Sequence, residues 1–195
     1  MPRSRDKIKL ELKESDIPFY DPYLIVKKRR GEWQKEYNQM TIRRASENDI
    51  PRLLELLEQV LQIHADIRPD IFIPGTTKYT NEELSQMIKD DTRPIYVAAD
   101  ENDNCLGYAF CQLQEQPFSN NMVPFTSLFI DDLCVDASTR GKHIGEKLFV
   151  HVKEEAKRLG CYEVTLNVWA GNTSAEKFYE KMGLKTKEQQ MEYIL

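Results

Sequence analysis

Apolar residues recur at helical spacing in four stretches of the chain, and each stretch opens with a helix-start signal. Ser46 and Asp49 have capping-box spacing before the first stretch, as do Thr80 and Glu83 before the second. The first apolar face consists of Ile50, Leu53, Leu54, Leu57, Val60 and Leu61, and residues 65–78 are predicted to form a loop. The other two helices are predicted to end at Gly160 and Gly183.

Segments with strand character lie between these helices. The predicted strands are Thr41–Ala45, Ile95–Ala99, Leu106–Leu113, Phe125–Val135 and Val164–Val168, followed by a final pair within Leu184–Leu195. The order β-α-α-β-β-β-α-β-α-β indicates one α/β domain over residues 40–195. Residues 1–39 precede it as an N-terminal extension of unknown role, in which Ile8–Leu12 alternates like a strand.

The composition is that of a globular protein, with 41% hydrophobic and 30% charged residues in a chain of 195. No apolar run approaches the roughly 20 residues that a membrane span needs, and the N-terminus has no secretory signal. The sequence therefore predicts a soluble, cytoplasmic protein without membrane contact. The cysteines show no metal-ligand spacing, so no metal site is expected; they are Cys105, Cys111, Cys134 and Cys161.

Charge is distributed unevenly around the net value of −5. Residues 1–39 carry ten Lys or Arg against seven Asp or Glu, whereas residues 40–195 carry seventeen against twenty-five. An acidic body argues against nucleic acid as the principal partner and is compatible with a cationic substrate. The basic run Lys27–Arg30 leaves an anionic partner as an alternative to a solvated turn.

The strongest chemical signal is a strand that runs into a glycine-bearing loop and then a helix. Asp131 and Asp132 lie within the strand, and the loop reads Arg140, Gly141, Lys142, His143, Ile144, Gly145. The first amides of a helix have no intrahelical acceptor and lie at the positive end of its dipole, so this loop suits a pyrophosphate. An ordinary strand-to-helix connection is the alternative.

A second pattern lies downstream, where Asn172 precedes a helix that Thr173 and Glu176 are predicted to cap. This helix carries Ala175, Phe178 and Tyr179 on one side and ends at Gly183. A tyrosine that faces a site can donate a proton, and an apolar core edge is the alternative role. Together, in this order, the two patterns resemble the GNAT N-acetyltransferase superfamily. Arg140, Ile144 and Gly145 match the family's loop pattern, whereas His143 stands in place of its first glycine.

The resemblance implies a mixed, mostly antiparallel, splayed sheet flanked by helices, with acetyl-CoA as cosubstrate. The pantetheine would pair with the backbone of Leu133, Cys134 and Val135. The pyrophosphate would rest on the amides of Lys142, His143, Ile144 and Gly145, near Arg140 and Gly141. Asn172 would lie near the pantetheine, and Tyr179 would be the general acid. The run Asp131–Val135 resembles most closely that of spermidine/spermine-type acetyltransferases.

A reaction scheme follows from the chemistry of amines, which are protonated at neutral pH and must lose a proton before attack. Asp131 is the first candidate for the base and Asp132 the second, since strand alternation predicts that they face opposite sides. Asp131 could instead only attract the cation. An amide of Cys134 or Val135 would bind the oxyanion, and direct transfer is favoured over a covalent acyl group on Cys134.

Several alternatives stay open at this level. The acceptor amine is unspecified, from a small molecule to a peptide N-terminus. A homodimer is compatible with the sequence. Instead of an enzyme, the chain could be a CoA-binding sensor or interaction module without turnover. The ring of His143 is expected to face solvent rather than to take part in catalysis.

Overall fold

The computed structural model describes residues 40–116 and 119–195, which form one sheet with helices on both faces. The strands are β1 (Thr41–Arg44), β2 (Ile95–Ala99), β3 (Cys105–Glu115), β4 (Thr126–Val135) and β5 (Glu163–Leu166). The helices are α1 (Ile50–Ile67), α2 (Asn81–Ile88), α3 (Ile144–Arg158) and α4 (Thr173–Lys181), with 3-10 turns at Glu47–Asp49 and Ala137–Thr139. None of these helices is long and apolar enough to cross a membrane.

The sheet has the order β1-β2-β3-β4-β5. The first three pairs of neighbours are antiparallel, and only β4 and β5 are parallel. A parallel neighbour needs a crossover, which α3 provides. The prediction of a mixed, mostly antiparallel sheet is confirmed.

Each face of the sheet buries its own core. One core lies beneath α1 and α2 and includes Leu53, Leu84 and Phe110. The other lies beneath α3 and includes Leu128 and Leu148, with side chains of α4 at its edge. Because β2 has a neighbour on each edge and a core on each face, all five of its residues are buried.

Two of the three predicted capping boxes form, whereas the last helix is capped by Asn172 rather than by Thr173 and Glu176. At the start of α2, the Thr80 hydroxyl accepts a hydrogen bond from the Glu83 amide at 3.2 Å, and the Thr80 amide donates to the Glu83 carboxylate at 2.7 Å. The Ser46–Asp49 capping box also forms, but it opens a 3-10 turn ahead of α1. Gly160 follows α3 with a φ of 73°, the left-handed conformation of a helix terminator.

Several predicted boundaries and one predicted element are wrong; β3, for example, extends to Glu115 rather than Leu113. Helix α1 continues to Ile67, and β5 ends at Leu166 rather than Val168. No strand forms within Leu184–Leu195: residues 185–190 are six successive polar residues, and the apolar side chains of residues 191–195 stay exposed. Predictions for residues 1–39, including Ile8–Leu12 and Lys27–Arg30, lie outside the described residues.

Candidate active site

Strand β4 has two halves that differ in their neighbours. Residues 127–130 pair with β3 on one edge and with β5 on the other. Beyond Ile130 and Leu166 the pairing with β5 stops, whereas pairing with β3 continues to Val135. The sheet therefore splays between β4 and the chain that follows β5, as expected.

Backbone alternation decides which groups face this open edge. The Asp136 amide donates to the Leu106 carbonyl at 2.9 Å, so these opposed residues form a hydrogen-bonded pair. Hydrogen-bonded pairs recur at every second residue of an antiparallel ladder. The backbone N–H and C=O groups of Cys134 and Asp132 therefore also bond to β3. The N–H and C=O groups of Leu133 and Val135 consequently point to the open edge.

A β-bulge at Asp131 separates the two halves. Cys111 lies opposite Ile130, and the next residue back, Phe110, lies opposite Asp132, so Asp131 has no partner across the ladder. An extra residue shifts the alternation by one position. Asp132 therefore shares the face of Phe110, the face covered by α1 and α2.

Asp131 lies on the same face, as its contacts show. Its Oδ2 accepts hydrogen bonds from the Lys78 Nζ at 2.8 Å and from the Tyr79 hydroxyl at 3.2 Å. The Tyr79 ring in turn stacks on Phe110, with centroids 5.7 Å apart. The prediction that the two carboxylates face opposite sides is wrong, because simple alternation takes no account of a bulge.

The Asp132 carboxyl has a different environment from that of its neighbour. It accepts a hydrogen bond from the Tyr108 hydroxyl at 3.1 Å. Burial raises its pKa to about 6, although the charge of Lys78 and the bond from Tyr108 act in the opposite direction. A carboxyl that titrates near neutral pH is suited to proton transfer.

Tyr179 lies on α4, where its side chain packs at the edge of the core beneath α3. Its ring packs against Phe178 and Phe149, with centroid distances of 5.0 and 6.4 Å. Burial raises the pKa of its hydroxyl well above the ordinary range, and the charge of Asp132 adds to the shift. The phenol therefore stays protonated at neutral pH and can act as a donor.

Cys134 is turned away from the open edge. Its thiol is buried beneath α1, where it donates a hydrogen bond to the Leu56 carbonyl at 3.6 Å. Burial raises the pKa of this thiol to about 12, so the nucleophilic thiolate is not populated near neutral pH. Its backbone bonds to β3. These facts give no support to an acyl group on Cys134.

The loop that follows β4 has two residues in the left-handed region, Gly141 with a φ of 79° and His143 with a φ of 60°. The His143 ring was expected to face solvent, and that expectation is wrong. Its side chain is only 14% exposed, and its Nδ1 lies 3.1 Å from a Glu146 carboxylate oxygen. The contact with Glu146 explains how this non-glycine conformation is held. The Arg140 Nε donates to the Val135 carbonyl at 3.3 Å.

The first turn of α3 adjoins the open edge. A Cβ added to Gly145 would meet the Phe178 ring at 3.4 Å and the Val135 side chain at 3.5 Å. Ile144 and Gly145 are the first residues of α3, where amides lack an intrahelical acceptor. With Arg140 and Lys142 nearby in sequence, these amides fit a pyrophosphate group.

Asn172 caps α4. Its Oδ1 accepts a hydrogen bond from the Ala175 amide at 3.2 Å, so its side chain has a structural role at the helix start. The bond fixes the first turn of α4, the helix that carries Tyr179.

Three site residues escaped sequence analysis: Lys78, Tyr79 and Tyr108. Lys78 and Tyr79 lie between α1 and α2, in a stretch that the sequence marks only as a loop and helix start. Tyr108 is indistinguishable in sequence from a core tyrosine. Within the described ranges 40–116 and 119–195, no group of three or more His, Cys, Asp or Glu residues could hold a metal ion.

Comparison with known proteins agrees with this geometry. The model of the acetyltransferase (GNAT) family matches residues 57–184. Glucosamine 6-phosphate N-acetyltransferase of Arabidopsis thaliana is 29% identical over 121 residues, which cover 60% of this chain and 78% of that protein.

Solved structures have the same fold. A mutant of the BH1408 protein from Bacillus halodurans superposes with a TM-score of 0.76 and 27% identity, covering 80% of this chain and 99% of that one. The Arabidopsis glucosamine-6-phosphate enzyme gives a TM-score of 0.59 with 25% identity, covering 80% and 97%. The chain therefore belongs to the acetyltransferase (GNAT) family and is an acetyl-CoA-dependent N-acetyltransferase.

Proposed function

We propose that the chain transfers the acetyl group of acetyl-CoA to a primary amine by direct attack, without a covalent acyl-enzyme. The observation that carries the proposal is the bulge at Asp131, which turns two adjacent carboxylates to one face beside the unpaired edge of β4. An amine bound to a carboxylate at this position would lie next to a strand edge that is free to bind an extended arm.

We propose Asp131 as the group that receives the acceptor ammonium and accepts its proton, directly or through water. Its contact with Lys78 supports this role, because it is the geometry a substrate ammonium would adopt. Asp132 is the second candidate base, and its pKa of about 6 keeps it ionised but moderately basic near neutral pH. Attack is possible only after the ammonium, with an ordinary pKa near 10.4, loses a proton.

The open edge suits the oxyanion of the tetrahedral intermediate. The N–H groups of Leu133 and Val135 point there, so we propose Val135 rather than Cys134 as the donor to the oxyanion. The leaving thiolate needs a proton, and we propose Tyr179 as its source. The high pKa of Tyr179 keeps that proton in place until charge develops on the sulfur.

We further propose that the β4 segment Leu133–Val135 and the loop Arg140–Gly145 bind the cosubstrate, with Asn172 beside the pantetheine. The edge N–H and C=O groups of Leu133 and the carbonyl of Val135 would pair with the pantetheine amides, and the amides that begin α3 would bind the pyrophosphate. Cys134 would contribute only through its position between the two. Acetyl-CoA supplies the acetyl group and the thiolate leaving group.

The acceptor has two candidate classes. The run Asp131–Val135 resembles that of polyamine acetyltransferases, whereas the Arabidopsis relative is named for an amino sugar phosphate. Both are primary amines, so the proposed chemistry is the same for each. They differ in how many positive charges they carry, and that difference bears on the residues around Asp131.

Release of free CoA thiol in the presence of acetyl-CoA and a panel of amines tests the proposal. Wild-type protein should release thiol with at least one primary amine, and Asp131→Asn should lower the rate by roughly 10²-fold or more near neutral pH. Part of the loss should return at high pH, where the amine deprotonates unaided. Asp91→Asn is the matched control, since this exposed carboxylate pairs with Arg44 away from β4.

Three results would contradict the proposal or the role it gives to Asp131. If no amine of the panel led wild-type protein to release thiol, direct transfer to amines would be without support. An unchanged rate and pH profile in Asp131→Asn would remove that residue from the mechanism. A higher KM with the same kcat would assign it to attraction of the cation alone.

A further inference from the structure

Lys78 occupies the position next to Asp131 that the proposed acceptor would take. Its Nζ lies 2.8 Å from the Asp131 Oδ2. Its side chain is 43% exposed, so solvent reaches the ion pair. An acceptor ammonium that approaches Asp131 therefore meets a resident ammonium first.

The backbone next to Lys78 is well fixed. Tyr79 stacks on Phe110 and donates to the same Oδ2 atom as Lys78. Thr80 then forms the capping box that starts α2. Because Tyr79 and Thr80 are both anchored, the backbone of Lys78 is fixed at a position from which its ammonium reaches Asp131.

Lys78 interacts with both carboxylates of the site. Burial alone would lower its pKa, but the hydrogen bond from its ammonium to Asp131 and the charges of Asp131 and Asp132 raise the pKa above the ordinary range. Lys78 is therefore positively charged at neutral pH. With Lys78 in place, these three side chains together carry one negative charge when both carboxylates are ionised.

We propose that Lys78 is a specificity-determining residue that selects acceptors with a single positive charge and disfavours diamines and polyamines. The inference rests on the proposed function of Asp131. A single ammonium matches the one negative charge that remains, and an anionic or neutral remainder of the acceptor is tolerated beside Lys78. The second ammonium of a diamine would meet the like charge of Lys78 in a partly desolvated site, where such repulsion is stronger than in water.

Butylamine and 1,4-diaminobutane form a matched pair of probes, equal in chain length and different in charge. The ratio of kcat/KM for the diamine to that for the monoamine should rise at least tenfold in Lys78→Met. Lys78→Arg keeps the charge and should keep the wild-type ratio. Lys89→Met is the control, because Lys89 pairs with Glu47 on the exposed surface at 2.8 Å and does not contact the site.

A binding measurement extends the test to the case in which wild-type protein acetylates neither butylamine nor 1,4-diaminobutane. Isothermal titration calorimetry of 1,4-diaminobutane should show binding at least tenfold tighter in Lys78→Met than in wild type or Lys78→Arg. Equal diamine preference in Lys78→Met and wild type, by rates or by binding, would overturn the inference. So would loss of turnover with both probes in Lys78→Met, which would make Lys78 necessary for catalysis itself. Failure of the proposed function is a separate outcome, namely no amine-dependent thiol release by wild-type protein with any amine.

Discussion

The two halves of β4 have nearly equal length and opposite characters. Residues 127–130 are hydrogen-bonded on both edges, and their Leu128 and Ile130 side chains are buried beneath α3. Residues 131–135 are bonded on one edge, and their first two side chains are carboxylates. A strand paired on both sides can only support the sheet, whereas a strand with a free edge can also bind a ligand.

The bulge at Asp131 allows one strand to combine a half that is paired on both edges with a half that has a free edge. It restores pairing with β3 after the extra residue, so the second half stays anchored by Cys134 and its ladder to Tyr108. It also reverses which side chains face α1 and α2. The sheet thereby presents Asp131 and Asp132 together without losing the core on either face.

The largest expected effect is on the free energy of unfolding, through a substitution in the half of β4 that is paired on both edges. Leu128 has no exposed surface, so Leu128→Ala should lower the free energy of unfolding by about 2–5 kcal/mol through lost burial and a residual cavity. Leu133, in the other half, is only partly buried, and Leu133→Ala should cost less. Urea denaturation of both variants measures the difference. Equal losses would show that the open edge is as important to stability as the paired one.

The next largest expected effect is a loss of turnover that leaves the stability of the fold unchanged. Tyr179→Phe removes the hydroxyl and keeps the ring that packs on Phe149 and Phe178. Turnover should fall by roughly 10²-fold or more if the thiolate takes its proton from this residue. The urea midpoint and acetyl-CoA affinity should stay near wild type. Full activity would return Tyr179 to a packing role.

The sequence predicted the regular part of this molecule better than the functional exception. Capping boxes and apolar spacing are local, which is why α2 and β2 were correctly bounded. The bulge depends on which residues of β3 lie opposite Ile130 and Asp132, and that register is not encoded in β4 alone. The Lys78 contact joins residues 53 positions apart, with α2, β2 and β3 between them, so no local pattern could predict it. The strand pair predicted within Leu184–Leu195 does not form, because its first half is polar and its apolar end at residues 191–195 stays exposed.

A smaller effect separates Asp132 from ordinary surface carboxylates. Its folded-state pKa of about 6 exceeds its ordinary 3.8, so the folded protein binds this proton more tightly than the unfolded chain does. The stability contribution from the protonated carboxyl is therefore present below pH 4 and is lost as pH rises through about 6. Asp132→Asn should gain stability over wild type across that window, by up to roughly 3 kcal/mol at 1.36 kcal/mol per pKa unit.

Denaturation curves of Asp132→Asn and wild type at several pH values between 4 and 7 measure this gain. Asp91→Asn serves as the control, since that carboxylate is 95% exposed. A difference between Asp132→Asn and wild type that does not change with pH would contradict a raised pKa. Asn can still accept the hydrogen bond from Tyr108, so loss of that bond would not mask the result.

The smallest expected effect is at His143, the residue that departs from the family's loop pattern. His143→Gly relieves the cost of a left-handed backbone, about 1–2 kcal/mol, but it also removes the contact with Glu146. The two terms offset, so the free energy of unfolding should change by about 1 kcal/mol or less. Acetyl-CoA affinity should persist, because the backbone amides rather than the imidazole are proposed to bind the pyrophosphate. Titration of acetyl-CoA into both proteins decides the point, and a tenfold or greater loss of affinity would assign the ring itself to the cosubstrate site.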